Sequence, residues 1–307
     1  MAENIKAIKE QISSVSNLKK ITRAMEMVAR SKMKRAIDAA VAARPYTERV
    51  LALLHDLDAE EEGAESTHPL LTKRDGEVEL IIHIASEKGL CGGYNAQALR
   101  KLHAHTGGRN AREVHGISVG KYAGQHIERV GAFYLQHFNV GEKPEVRDAK
   151  KIADFVIERY NTGDYHKVSV LYTHFETVFS QKTVVRQLLP LTIESRETVA
   201  TTNESERKID SPNRETADGQ EAETRHRFEP SKKIIFESIL PGLVTTQVYQ
   251  ALLEAEASEQ SSRMVAMKSA TDNATTFGGA LTLKYNRARQ ASITREIIEI
   301  AAGADAV

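Results

Sequence analysis

Apolar residues in this chain recur with two different periods. From about Ser231 to Ala302 they fall at threes and fours: Val244, Val248, Leu252, then Met264, Met267, Thr271, Ala274, then Leu281, Tyr285, Ala288. That is the stripe of an amphipathic helix. No Gly or Pro interrupts it between Leu243 and Phe277, and after Gly278-Gly279 none recurs until Gly303. The stretch is therefore predicted as one helix. At ~60 residues it would be about 90 Å long, far beyond an ordinary helix, so it needs a partner along its length. Residues 2–57 can supply one. They contain no Gly and only Pro45, which is expected to bend the helix or end its straight part. Ile5, Ile8, Ile12 and Val15 step as a coiled-coil seam, whereas Leu18, Ile21, Met25 and Val28 step mostly by threes. The stripe drifts around the helix, and one neighbour cannot cover all of it. The simplest arrangement is an antiparallel pair with a globular insert between the two helices.

The insert reads with the shorter period. Residues 58–76, with Asp58 to Glu62, Gly63, Pro69 and Gly76, form an acidic, breaker-rich linker. Val78, Leu80, Ile81, Ile82, Ile84 and Ala85 then make a near-continuous apolar run, the mark of a strand buried on both faces. Strands at 113–119, 132–138, 166–174 and 183–189 alternate with helices at 96–104, 124–129 and 145–160, the last two strands forming a hairpin. The predicted fold class is α/β: a long antiparallel coiled coil of N- and C-terminal helices carrying an inserted doubly wound, Rossmann-like domain at 77–193. Residues 194–230 are crowded with Glu, Arg, Thr and Ser and nearly lack large apolar side chains, so they are expected to be a charged, mobile insertion. Ser231 is placed as the N-cap of the last helix, which runs over 231–307.

Composition narrows the class. Hydrophobic residues at 41% and charged residues at 27% fit a soluble globular protein. Aromatics at 6% and no Trp suit a chain with much of its length in helices rather than in one thick core. The formal net charge is zero, which argues against a general polyanion binder. The first 50 residues are locally basic, with Lys19, Lys20, Arg23, Arg30, Lys32, Lys34 and Arg35, but interspersed acids and the lack of aromatics argue against nucleic acid. Cys91 stands alone, so an intramolecular disulfide is impossible and a cysteine zinc site is disfavoured. No apolar run approaches the ~20 residues that span a bilayer. The first helix carries Glu3 and Glu10 and has no apolar signal core, against a secretory signal or transit peptide.

The one obvious candidate site is the Gly-rich turn Gly89-Leu90-Cys91-Gly92-Gly93 between a strand and a helix. Such a turn can cradle phosphate on backbone N–H groups. Its spacing matches neither G-x-G-x-x-G nor G-x-x-x-x-G-K-[ST], so a structural tight turn is the favoured reading. Cys91 has no His and acid partner at a telling spacing and reads as a packed thiol. His103 and His105 resemble a ligand pair, but residues two apart on a helix face different ways, so both are expected to be solvated. Two classes remain: a shaft working inside a larger assembly, or a cofactor-binding α/β enzyme with a coiled-coil interaction arm. The lack of a catalytic constellation favours the first.

Several stretches resemble the gamma subunit of F-type ATP synthases of bacterial type. They are 16–34 (SNLKKITRAMEMVARSKMK), Ala43-Arg44-Pro45-Tyr46, Lys88-Gly89-Leu90-Cys91-Gly92-Gly93-Tyr94-Asn95, Gln187-Leu188-Leu189-Pro190-Leu191, Glu259-Gln260, 263–273 (RMVAMKSATDN) and 285–296 (YNRARQASITRE). The resemblance implies a central rotor shaft in a ring of alternating alpha and beta subunits. The α/β insert would lie at the foot, near the epsilon subunit and the membrane rotor ring of c subunits. The shaft would be present in single copy, couple transmembrane proton flow to ATP synthesis in the beta subunits, and regulate ATPase activity. It would bind no cofactor or metal and be peripheral on the cytoplasmic face of the bacterial inner membrane. Carried over by position, Met25, Arg289 and Gln290 resemble residues that touch the beta subunits, with Thr294 and Glu296 one and two turns further on. Phe228 and Glu229 resemble the foot at the rotor ring. Coiled-coil packing is an equal reading of Met25. In chloroplast relatives an insertion near 194–230 carries a switching cysteine pair; here that stretch holds no cysteine.

Overall fold

A computed structural model describes residues 2–59, 68–107, 113–191 and 232–304. Along the chain, one long helix precedes and another follows the strands of a five-stranded sheet. Helix α1 is Ala2–Ala59 and runs through position 45 without ending there. Strand β1 is Glu79–Ile84, α2 is Tyr94–Thr106, β2 is Val114–Val119 and α3 is Lys121–Val130. Strand β3 is Phe133–Phe138, α4 is Val146–Asn161, β4 is Lys167–Phe175 and β5 is Gln181–Leu189. Helix α5 is Lys232–Ala304, with Pro241 inside it. Phe228, Glu229, Ser231 and all of the charged stretch 194–230 lie outside the described residues. Contacts group the chain into two compact units, each described by itself: residues 33–89 with 93–259, and residues 1–32 with 90–92 and 260–307.

In the first of these, the sheet order is β3-β2-β1-β4-β5. β1 pairs in parallel with β2 and β4, β2 in parallel with β3, and β5 closes one edge antiparallel to β4. Helical crossovers go one way from β1 and the other way into β4, so the order reverses between β1 and β4. This is the doubly wound plan. Alternation along β1 separates two cores. Leu80, Ile82 and Ile84 face a large apolar core with Ile152, Val156 and Tyr160 of α4 and Leu240, Val244, Val248 and Leu252 of α5. Ile81 faces a smaller one with Leu102 of α2, Ile127 of α3 and Leu171 of β4. Helix α4 starts in a capping box, in which Glu145 and Asp148 each accept the other's backbone N–H. Gly120 ends β2 at φ +89; a Cβ there would lie 2.2 Å from the Ala85 carbonyl oxygen, so only glycine fits. The next residue already opens α3, three residues earlier than the apolar pattern suggests.

In the second unit, α1 and α5 run antiparallel in one register. The Thr271 hydroxyl lies 2.8 Å from that of Thr22, and a Cβ on Gly278 would lie 3.6 Å from Val15 Cγ1. Seven residues back along α1 thus match seven forward along α5, about two helical turns on each. Ile8, Ala29, Met264, Met267, Ala274 and Leu281 are buried. Leu18, Ile21 and Val28 are more than half exposed, as the drifting stripe requires.

Candidate functional site

The Gly-rich turn leaves the C-terminal end of β1, where doubly wound domains bind ligands outside the strand ends at the reversal point. Its geometry is built by its own side chains. Asn95 Nδ2 donates to Ser86 Oγ at 2.7 Å, and Asn95 Oδ1 accepts the Ser86 backbone N–H at 3.3 Å. Leu90 sits at φ 63 and Gly92 at φ 59, both left-handed. Within its own unit, Gly92 faces α5: a Cβ on it would stand 3.6 Å from Ala266 Cβ and 3.8 Å from the Ser262 carbonyl oxygen. Cys91 beside it is buried and unbridged. The turn brings backbone against a helix.

The crevice itself is filled by α5. Around the ends of β1 and β4, Tyr94 Oη donates to the Ala255 carbonyl at 3.3 Å and Ser258 Oγ donates to the Thr173 carbonyl at 2.9 Å. His174 Nδ1 meets Glu254 Oε2 at 2.6 Å, and Gln250 Nε2 donates to Glu254 Oε1 at 3.1 Å. Burial alone would raise the Glu254 carboxyl. The hydrogen bond and charge of His174, then Arg186 and Gln250, overturn that and hold it below its ordinary value. Burial, reinforced by the Glu254 charge, pushes the Tyr172 hydroxyl well up. These groups satisfy one another, and what they build is a joint between a sheet and a helix.

The other face of β1 carries polar groups that an apolar run concealed. Glu79 is buried, accepting from Ser169 Oγ at 2.5 Å with His105 Nε2 at 3.0 Å. His105 is therefore tied to the sheet rather than solvated, while His103 on the next face is exposed. His83 Nε2 lies 2.9 Å from His126 Nδ1 of α3. Burial, with the nearby His126 adding to it and the Leu171 backbone offsetting part, pushes His83 down to about 3. Burial, then Arg129, lowers His126 as well. A cleft of about 600 Å³ lined by Val146, Lys150, Asp154, Pro241 and Tyr249 lies against α4. The hydroxyls of Thr245 and Thr246 beside it donate to the Pro241 and Gly242 carbonyls. No set of three or more His, Cys, Asp or Glu among the described residues could hold a metal ion.

The residues singled out on the two helices separate cleanly. Met25 is half-buried on α1, while Arg289, Gln290, Thr294 and Glu296 are exposed on α5. Gln290 and Thr294 are one turn apart and linked, the Thr294 hydroxyl donating to the Gln290 carbonyl at 3.0 Å. Arg289 and Glu296, two turns apart, share the adjacent face. Ile293, Ile297 and Ile300 add an apolar stripe, 44%, 60% and 73% exposed, which water alone would not favour. No helix among the described residues is long and apolar enough to cross a membrane.

A family model described as ATP synthase matches residues 4–307. The ATP synthase gamma chain of Heliobacterium modesticaldum is 37% identical over 301 residues, covering 98% of this chain and 98% of its own. That of Roseobacter denitrificans is 37% identical over 310 residues, covering 99% of each. Among solved structures, a rotor chain of the Euglena gracilis mitochondrial ATP synthase aligns with a TM-score of 0.61 at 20% identity, over 95% of this chain and 100% of its own. A chain in a second structure of that enzyme, with OSCP, F1 and the c-ring, aligns with a TM-score of 0.66 at 20% identity, over 100% of this chain and 95% of its own. At that identity the structures speak for the fold, and the gamma chains for the family. With a joint where an α/β enzyme would hold its ligand, and with similarity running almost end to end, this chain belongs to the ATP synthase gamma-chain family.

Proposed function

We propose that this chain is the central shaft of an F-type ATP synthase, coupling ion flow through the membrane to ATP synthesis on the beta subunits and taking no chemical step itself. As a gamma chain it is a non-catalytic, peripheral part of a membrane-associated complex. Its partners are the alpha and beta subunits, the epsilon subunit and the ring of c subunits. The sequence division assigns α1 and α5 to the shaft and 77–193 to the foot. Curated relatives from bacteria favour the cytoplasmic face of a bacterial inner membrane.

The observation that carries this reading is the exposed surface of α5 beyond residue 288. Two long polar side chains, Arg289 and Gln290, stand beside Ile293, Ile297 and Ile300 on a helix with no core of its own there. A shaft must touch successive beta conformations differently, since equal contact with each would shift no equilibrium. Met25, Arg289 and Gln290 are the proposed beta contacts, with Thr294 and Glu296 continuing them, and Phe228 and Glu229 the proposed rotor-ring contacts.

The test is reconstitution with the organism's own alpha and beta subunits. Co-elution at one copy per ring, with activated cooperative ATP hydrolysis, is the expected result. Arg289→Ala with Gln290→Ala should weaken synthesis and leave the fold intact, since exposed substitutions usually change stability by within about 0.5 kcal/mol. Full synthesis in that variant would remove these contacts from the proposal.

A further inference from the structure

We propose that the stripe Gln250, Glu254 and Ser258 of α5 is the torque-bearing joint that fixes the α/β sheet to the shaft helix, with Glu254 as its positioning residue. The proposal rests on the shaft reading above. The three residues repeat every fourth position and therefore share one helix face. They lie in a stretch of α5 that is buried almost all round: Ala251, Leu252, Leu253, Ala255 and Ala257 are each at most 3% exposed. An apolar stripe would suffice to pack such a helix. A row of polar groups aimed at one strand does something packing alone does not.

All three engage, and their bonds converge on the C-terminal end of β4. Ser258 Oγ reaches the Thr173 carbonyl, Glu254 reaches His174, and Gln250 braces the second carboxylate oxygen of Glu254. Arg186 of β5 lies over the Tyr172 ring, its guanidinium carbon 5.5 Å from the centroid, so the antiparallel edge strand is tied into the same cluster. Apolar contacts resist separation but slide easily, because their energy follows buried area and hardly depends on direction. Hydrogen bonds weaken steeply with angle and length. A buried carboxylate held by several directional bonds therefore resists the sideways load that a turning foot places on its shaft. The place is apt: β4 is an interior strand beside β1, held on both sides by ladders. A load entering at its end spreads into the whole sheet.

The experiment uses the whole enzyme in sealed vesicles. It compares wild type with Glu254→Gln, His174→Gln, the double variant and His174→Lys, which places a cation opposite Glu254. The readouts are ATP hydrolysis, ion uptake per ATP hydrolysed, and amide hydrogen exchange over β4. Each single variant should hydrolyse ATP within about twofold of wild type, since the ring sees an unchanged shaft. Uptake per ATP should fall about threefold or more, and β4 exchange should rise about tenfold, as expected when a charge-assisted buried bond is lost. The double variant should be no worse than either single, the sign that the two act through one contact. His174→Lys should recover most of the uptake. Unchanged uptake per ATP in both singles, additive losses in the double, or hydrolysis and uptake falling together would each overturn the joint. If the Glu254 variants do not assemble, Ser258→Ala decides. It removes one bond to a carbonyl and should cost uptake without hydrolysis; wild-type uptake there defeats the proposal. Failure of the shaft reading itself looks different: the wild-type chain would not assemble with alpha and beta at all.

Discussion

Acid should destabilise this protein through the His83–His126 pair, well above the pH at which its carboxylates fail. Two imidazoles 2.9 Å apart hold together only while at least one is neutral, one nitrogen donating and the other accepting. If both are charged, each nitrogen carries a proton and neither can accept. His83 is fully buried, and its pKa lies at about 3 against 6.5 in the unfolded chain. A histidine with a depressed folded pKa binds its proton more readily when unfolded. Its contribution is thus whole above pH 6.5 and is lost as pH falls from 6.5 towards 3. Within that window one such group costs about 1.4 kcal/mol per pH unit, so about 2 kcal/mol between pH 6.5 and 5. His126, lowered in the same direction, steepens the loss. Glu254 adds its own loss only as pH falls below the ordinary carboxylate range, so measurements above about pH 5 isolate the histidines. Urea unfolding of the full chain from pH 5 to 7.5, for wild type and for His83→Leu with His126→Leu, is the assay. Wild type should lose stability steeply towards pH 5, while the double variant keeps only the shallower slope of His68 and His115, whose imidazoles burial also lowers. Equal slopes, or a wild type that gains stability in acid, would refute the buried neutral pair.

Three further substitutions separate backbone strain and hydrogen bonding from bulk. Gly92→Ala meets only ordinary contacts at 3.6 Å and 3.8 Å, so urea unfolding should show the left-handed penalty alone, about 1–2 kcal/mol. Gly120→Ala drives a Cβ into a carbonyl and should give little soluble, folded protein, read by expression and circular dichroism. Thr271→Val keeps shape in the coiled coil and leaves Thr22 its bond to the Lys19 carbonyl, so the loss should be about 1 kcal/mol in thermal unfolding; no loss would mean the hydroxyl pair is idle.

Hydropathy made the elements legible and left their wiring hidden. The apolar run at 78–85 announced β1 because parallel central strands bury both faces. The same run concealed the two polar members, Glu79 and His83, that share a face with Ile81. Burial of a carboxylate or an imidazole is decided by partners such as Ser169, His105 and His126, which are far away in sequence. His105 is held at the sheet rather than solvated for that reason. Two residues apart on α2 does put it on a different face from His103, but that face meets Glu79. Strand order likewise follows from the helical crossovers rather than from any strand's own pattern. Glu254 left only a faint trace: Gln250, Glu254 and Ser258 share one face, but Gln247, Glu256 and Glu259 interrupt the same helix at other positions. What the trace could not give was the strand it addresses.

The two features most suggestive of an enzyme, a doubly wound sheet and a glycine-rich turn at its reversal point, are both turned here to holding a helix. A doubly wound sheet leaves a crevice where crossovers diverge, and any chain segment of suitable shape can occupy it. In this chain the occupant is covalently attached and permanent. Its polar groups satisfy the strand ends with Thr173 and His174, while Gly92 faces the same helix, in its own unit, at van der Waals distance. A ligand site must release what it binds, so it cannot spend its polar groups on internal bonds. A shaft mount must not release, and gains from every such bond. The same geometry thus argues against turnover at this crevice and for load-bearing there.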